Sequence, residues 1–498
     1  MELLKNRASG VLMHISSLPG KFGIGTMGRE AYRFVDKLKG AGQSYWQILP
    51  VCPTGFGDSP YQSFSSFAGN PYFIDFDLLC KEGYLKKSDY KGISWGACQD
   101  RVDYGTLYIE RNRLFLKLWE NFKCKIPADF VEFCRKNAFW LDDFALFMAV
   151  KDAHSGASLD VWEDDIRCRK EEAVCRYREK CGERIEYYKM LQYFFFRQWK
   201  ALKAYANKNG IAIIGDLPIY VSRDGADVWS QPQQFKLDEN YLPIEVAGCP
   251  PDAFSEEGQL WGNPIYDWDY MKKDGYSFYI ARLKAAFSLY DVVRIDHFRG
   301  FAGYYCIPFG AENAKNGVWR EGPAMELFNA AQKEFGIVPI IAEDLGYLTE
   351  DVYRLLSQCG FPGMKVLQFA FDESGESAYL PKNHIPNCVV YTGTHDNDTL
   401  LGYVENTSDA ELKRAMKVLG ITDKEDIPNA MMRSALSSPA NTVILTMQDL
   451  IGLSSDARMN TPATDNGNWQ WRALKKELNN KNFKFLKKYT KRYGRKIK

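Results

Sequence analysis

The sequence predicts an α/β protein, a (β/α)8 TIM barrel with inserted, mostly helical subdomains. Three observations carry that expectation. Eight short apolar runs, rich in β-branched residues, are spread along the 498 residues. Helical patterns lie between most of them. Polar residues cluster just past their C-terminal ends, where such barrels carry their active sites. A doubly wound open sheet is the main competitor.

In chain order, the first run is residues 11–15 (VLMHI), followed by the Gly-rich SSLPGKFGIGTMG and a helical pattern over 30–38. Gly23, Gly25 and Gly28 match G-x-G-x-x-G, but SSLPGKF separates them from the strand and the next run ends without an acid. Both features speak against dinucleotide binding. The second run, 45–51 (YWQILPV), leads into PTGFGDSPYQSFSSFAGNPYF, turn-rich and aromatic as binding loops are. Charged, mostly helical segments follow, and 187–209 keeps helical spacing until Gly210 stops it. The third run is 211–215, ending at Asp216; the Gly-, Pro- and Trp-rich stretch 223–268 after it is too long for an ordinary connection. After a helix near 276–289 come VVRID (292–296), VPIIA (338–342), 364–369, 388–392 and TVILT (442–446). The expected organisation is one catalytic barrel over 1–498. A helical subdomain is inserted at about 53–185 after strand 2, and a loop-rich one at about 223–275 after strand 3.

Lys+Arg 64 against Asp+Glu 63 gives a net charge of +1, so no nucleic acid and no membrane is expected as a partner. The first residues lack the apolar run of a signal peptide, and no run is long enough to span a bilayer. None of the twelve cysteines forms a C-x-x-C pair, which points to reduced thiols and a cytoplasmic protein. The 29 Tyr, 31 Phe and 12 Trp offer flat apolar rings that suit sugar faces.

The chemistry concentrates at four strand ends: Asp216 after IAIIG, Asp296 after VVRI, Glu343 after PIIA, and His395 with Asp396 after YTGT. On barrel strands these converge on one pocket. Several carboxylates together bind Mg or Ca, or cleave acetals. Arg294 and Arg299 flank Asp296 in VVRIDHFRG and argue against a metal there. Acetal cleavage needs one ionised and one protonated carboxyl. Asp296 beside Arg294 suits the first role. Glu343, with Asp344 as a like-charged neighbour, suits the second.

GDLPIYV, VRIDHFRG, IAEDLG and YTGTHDNDT resemble the amylomaltases, the 4-α-glucanotransferases of glycoside hydrolase family 77, relatives of the α-amylases. SSLPGKFGIGTMG, GDSPYQSFSSFAGNP, PPDAFSEEGQLWGNPIYDW and RMNTPAT extend the resemblance from about residue 10 to 471, and the ordered set is specific. The resemblance implies Asp296 as nucleophile, Glu343 as general acid/base and Asp396 as a third carboxylate that binds sugar hydroxyls. It implies Ser59, Tyr61, Asp216, Trp261, Arg294, His297 and His395 as substrate-binding residues, with no cofactor and no metal. The substrates would be α-1,4-glucans and maltooligosaccharides, with glucose or another glucan as acceptor. The reaction would be a retaining double displacement through a covalent glycosyl-enzyme. Thr26 departs from the family's usual Asp, and Ala463 from its usual Gly. An α-amylase-type hydrolase with the same carboxylates, and an inactive glucan-binding scaffold, are the alternatives.

Overall fold

The computed structural model describes residues 2–251, 255–346, 348–372, 377–464 and 466–495. Residues 252–254 of the PPDAFSEEGQLWGNPIYDW stretch and residues 496–498 of the basic tail lie outside them. Among the described residues, twelve strands form two sheets: β1 (Ala8–Leu12), β2 (Tyr45–Gln47), β3 (Ala212–Leu217), β4 (Glu245–Cys249), β5 (Gln259–Pro264), β6 (Val292–Ile295), β7 (Gly303–Pro308), β8 (Val318–Glu321), β9 (Ile340–Ala342), β10 (Gly363–Val366), β11 (Cys388–Tyr391) and β12 (Thr442–Thr446). Eight of them pair in the order β10-β11-β12-β1-β2-β3-β6-β9, every pair parallel.

The sheet curls into a nearly closed barrel, which decides against the open doubly wound arrangement. At the seam between β9 and β10, hydrogen bonds outside a regular ladder bridge the gap. Ala342 N–H donates to Pro362 O at 3.0 Å, and Met364 N–H donates to the buried Asp344 Oδ1 at 2.5 Å. A side chain on Gly363 would meet the Asp344 carboxylate at 2.4 Å, so glycine there lets the carboxylate reach the strand.

Period-two alternation decides what points inward. On β6, Val292 belongs to the barrel interior with Ile214, Ile341, Met364 and Tyr391, while Val293 and Ile295 pack in the outer core. Arg294 therefore sits one layer above Val292, and Asp296 follows on the same side. Asp216 is the register partner of Arg294.

Three strand boundaries differ from expectation by three residues or more, and one of them is the second, which is strand only over Tyr45–Gln47 instead of 45–51. The first strand is Ala8–Leu12 instead of 11–15, and Ile15–Ser17 is a single 3-10 turn. Small residues let it start early: a Cβ on Gly10 would stand 2.5 Å from the Tyr45 Cβ of the adjoining strand. The sixth run is strand only over Gly363–Val366, with a 3-10 turn at Leu367–Phe369.

Helices clothe the barrel. Arg29–Gly40 buries Ala31, Phe34, Val35 and Leu38, one face of a helical repeat. Between β2 and β3 run Tyr104–Phe122, Ala128–Ala153 and Gly182–Lys208. Among the described residues, the β10–β11 connection holds no α-helix, only 3-10 turns. The second sheet is antiparallel, in the order β5-β4-β7-β8. Its strands come from two connections, the one after β3 and the one after β6. No helix among the described residues is long and apolar enough to cross a membrane.

Ala463 has φ 61°, in the left-handed region that disfavours a Cβ. Ala463→Gly is expected to stabilise the fold by about 1 kcal/mol, read as a higher denaturant midpoint at unchanged m-value.

Candidate active site

The base of the site is a buried ion pair. Arg294 Nη1 donates to Asp216 Oδ1 at 2.8 Å and Oδ2 at 2.7 Å. The two side chains are 4% and 0% exposed. Tyr61, from the loop after β2, donates its hydroxyl to Asp216 Oδ2 at 2.9 Å. Burial first, then the Asp216 charge, push the Tyr61 phenol well above its usual range, so it stays a donor.

The same Arg294 Nη1 lies 3.1 Å from Asp296 Oδ1. Asp296 retains 29% of its side-chain surface, facing the mouth of the barrel. Burial nonetheless outweighs Arg294, and Asp216 adds to it, raising the Asp296 carboxyl to about 6. Because one side faces the mouth, that push acts in full only when a ligand covers the cleft.

Glu343 stands on the next strand end, since Ile295 and Ala342 are register partners. Its Oε2 accepts the His297 N–H at 2.6 Å, and its Oε1 the Leu345 N–H at 2.9 Å. Burial, then the Asp296 charge acting against Arg294 and the two N–H donors, raise it to about 7. Asp344 was the expected source of that rise. It turns instead to the β10 seam, so Asp296 is the like-charged neighbour that matters. Arg299 is also redirected: its guanidinium lies 4.1 Å from the Trp319 ring centroid, which leaves Arg294 as the cation at Asp296.

His297 adopts φ 49°, ψ 49°, a left-handed turn seldom taken by such residues and typical of constrained sites. Its ring meets Trp261 edge-on at 4.8 Å. Burial, and secondarily Arg299, lower the imidazole to about 3, so it works as a neutral ring. Gln62 ties the loop after β2 to the second sheet through Trp261 O at 3.2 Å and Asn263 Oδ1 at 3.3 Å. Ser59 Oγ accepts the Tyr61 N–H at 3.2 Å, so it braces the loop that presents Tyr61.

His395 stacks on Tyr61 at 5.3 Å with 15° between the planes. Trp469 completes the aromatic corner, 5.6 Å from Tyr61 and 5.8 Å from His395. Asp396, with 40% of its side chain exposed, has Oδ1 3.4 Å from His395 Nε2. The turn that carries it is pinned by Asn397 Oδ1, which accepts the Thr394 N–H at 2.9 Å. All ten sequence-predicted residues thus belong to the C-terminal end of one barrel or the loops beside it. Sequence reasoning missed Trp469 and two residues of the RMN triplet, Arg458 and Asn460. The signal for Arg458 and Asn460 was the RMNTPAT motif, which named no role, and Trp469 lies beyond that motif. Among the described residues, no group of three or more His, Cys, Asp or Glu side chains is placed to hold a metal ion.

A family model described as 4-alpha-glucanotransferase, glycoside hydrolase family 77, matches residues 13–477. The 4-alpha-glucanotransferase of Clostridium butyricum is 49% identical over 485 residues, covering 97% of this chain and 100% of that protein. That of Thermus thermophilus is 47% identical over 483 residues, 95% of this chain and 96% of the other. The structure of the Streptococcus agalactiae amylomaltase in complex with acarbose superposes with a TM-score of 0.96 at 46% identity, covering 99% and 100% of the two chains. The match extends through all four strand ends and both sheets, and the chain belongs to the 4-alpha-glucanotransferase family, glycoside hydrolase family 77.

Proposed function

We propose that this 4-alpha-glucanotransferase cuts α-1,4-glucans and maltooligosaccharides by a retaining double displacement, with Asp296 as nucleophile and Glu343 as acid and base. The observation that carries the assignment is the difference between their surroundings. Asp296 has the Arg294 guanidinium at 3.1 Å, which favours its anion. Glu343 is held by two main-chain N–H groups and lifted to about 7, which keeps it protonated at the start of the cycle.

Glu343 gives its proton to the departing glycosidic oxygen as the Asp296 carboxylate forms the bond to the anomeric carbon. The leaving chain carries that proton away on its new hydroxyl. Glu343, now ionised, takes a proton from the 4-hydroxyl of glucose or another glucan. That oxygen attacks the anomeric carbon and breaks the ester to Asp296, restoring both groups. Asp396 accepts hydrogen bonds from hydroxyls of the sugar being cleaved. Tyr61, Asp216, Arg294, His297, His395 and Trp261 surround that sugar, and Ser59 holds the Tyr61 loop. Side chains fill every role, so the cycle needs no cofactor. We assign the reaction to the cytoplasm because all twelve cysteines are free thiols, which suits a reducing compartment.

Incubation with pure maltotriose is expected to give glucose and longer maltooligosaccharides at nearly constant total reducing ends. A steady rise in reducing ends without longer products would instead make the protein a hydrolase. Asp296→Asn is expected to lower kcat by about four orders of magnitude or more with Tm nearly unchanged, because an amide of the same shape cannot attack carbon. A variant that loses Tm yet keeps its specific activity would make Asp296 structural.

The profile of kcat/KM against pH is expected to be a narrow bell. Below about 6, Asp296 takes up a proton and the nucleophile is lost. Above about 7, Glu343 gives up its proton and the acid is lost. The two limbs belong to the coupled pair and are read as such. A rate flat from about pH 5 to 8 would contradict both assignments.

A further inference from the structure

We propose that Asn460 is the positioning residue for Asp396. It holds one oxygen of that carboxylate so that the other faces the sugar. The proposal rests on the reading of Asp396 as a sugar-binding carboxylate.

Asp396 lies five residues beyond the end of β11 at Tyr391, so no strand ladder fixes it. Its orientation comes from the loop after β12. Asn460 Nδ2 donates to Asp396 Oδ1 at 2.6 Å. Asn460 N–H donates to His395 O at 3.0 Å. Arg458 Nη2 donates to Asp396 O at 2.5 Å, and its Nε donates to Asn460 O at 2.9 Å. The Arg458–Asn460 segment is itself anchored, since Trp469 N–H donates to Met459 O at 2.7 Å and Thr461 N–H to Asn468 Oδ1 at 2.9 Å. Main chain and side chain of Asp396 are thus held by two residues of one short segment.

The chemistry of the amide explains the choice of residue. The nitrogen of a primary amide can only donate, so it meets a carboxylate oxygen as a donor and fixes the direction of that oxygen. His395 Nε2, at 3.4 Å from the same Oδ1, is a looser partner. With Oδ1 engaged, Oδ2 is the oxygen left for a sugar hydroxyl in the open part of the cleft. The other charged or titratable groups that bear on Asp396 are Arg458, through its bond to the main-chain oxygen, and Asp296 and Tyr61, which act through space. A carboxylate free to rotate would spend part of its time with neither oxygen aimed at the sugar, which weakens an interaction made most strongly in the transition state.

The test compares Asn460→Ala, Asn460→Asp and Asp396→Asn with the parent enzyme, using maltotriose as donor and acceptor. Asn460→Ala is expected to lower kcat by about 10- to 100-fold, the worth of a hydrogen bond to a charged group, with KM changed by less than about threefold. Asn460→Asp keeps the shape but sets two carboxyls against each other. They hold together only while they share a proton. The alkaline limb of kcat/KM is therefore expected to move down by about one pH unit or more, toward the acid limb, so that the bell narrows and loses height. A purely structural role would lower Tm and leave the shape of the profile alone. Asn460→Asp with the parent kcat and pH profile overturns the proposal, and so does a lower Tm with an unmoved profile. If Asp396→Asn keeps the parent kcat, the reading of Asp396 itself fails. If Asp396→Asn is inactive while both Asn460 variants match the parent, the positioning role alone fails.

Discussion

One guanidinium between two carboxylates underlies the site. Arg294 is buried, and its Nη1 contacts both oxygens of Asp216 and one of Asp296. Taking three charges out of water costs several kcal/mol for each, roughly, and mutual attraction offsets this only when the remaining bonding capacity is also met. Tyr61 helps to meet it at Asp216, and the mouth of the barrel solvates the free side of Asp296. The cluster is useful because it is incomplete. Asp216 is fully satisfied and fixed. Asp296 shares the cation, keeps one face open, and so remains available to form a bond.

The second carboxyl shows how environment divides labour between like groups. Asp296 and Glu343 end neighbouring strands, and the Asp296 charge raises the affinity of Glu343 for a proton. The guanidinium sits on one of them and main-chain N–H groups on the other. That asymmetry is what a pair needs if one member is to attack while the other donates. The left-handed turn at His297 is part of it, because the His297 N–H itself holds Glu343.

The walls come from segments far apart in the chain. The loop after β2 brings Tyr61, the second sheet brings Trp261, and the loop after β12 brings Asn460 and Trp469. These segments hold one another: Gln62 bonds to the strand of Trp261, while Asn460 bonds to the turn of His395 and Asp396. Asp449, which follows β12, is buried. It accepts the Thr392 hydroxyl and the Leu400 N–H, and so braces that same turn from behind.

The sequence by itself determined the eight barrel strands to within a few residues, because short β-branched runs bounded by turn residues leave few other readings. It also marked the carboxylates that we propose as catalytic. In V-V-R-I-D, alternation alone puts Val292, Arg294 and Asp296 on one side, and the ordered motifs supplied the roles. Tertiary structure decided what each charge meets. Arg299 and Asp344 stand close to Asp296 and Glu343 in sequence, yet one lies over Trp319 and the other closes the β9–β10 seam. Both lie past the strand ends, Arg299 in the 3-10 turn Phe298–Phe301 and Asp344 two residues beyond β9, so the turn that follows each strand sets where they point. Asn460 and Trp469 were illegible for the converse reason. They follow the last strand, and only closure of the barrel brings β12 beside β11 and β1, and with it their loop against Asp396 and Tyr61.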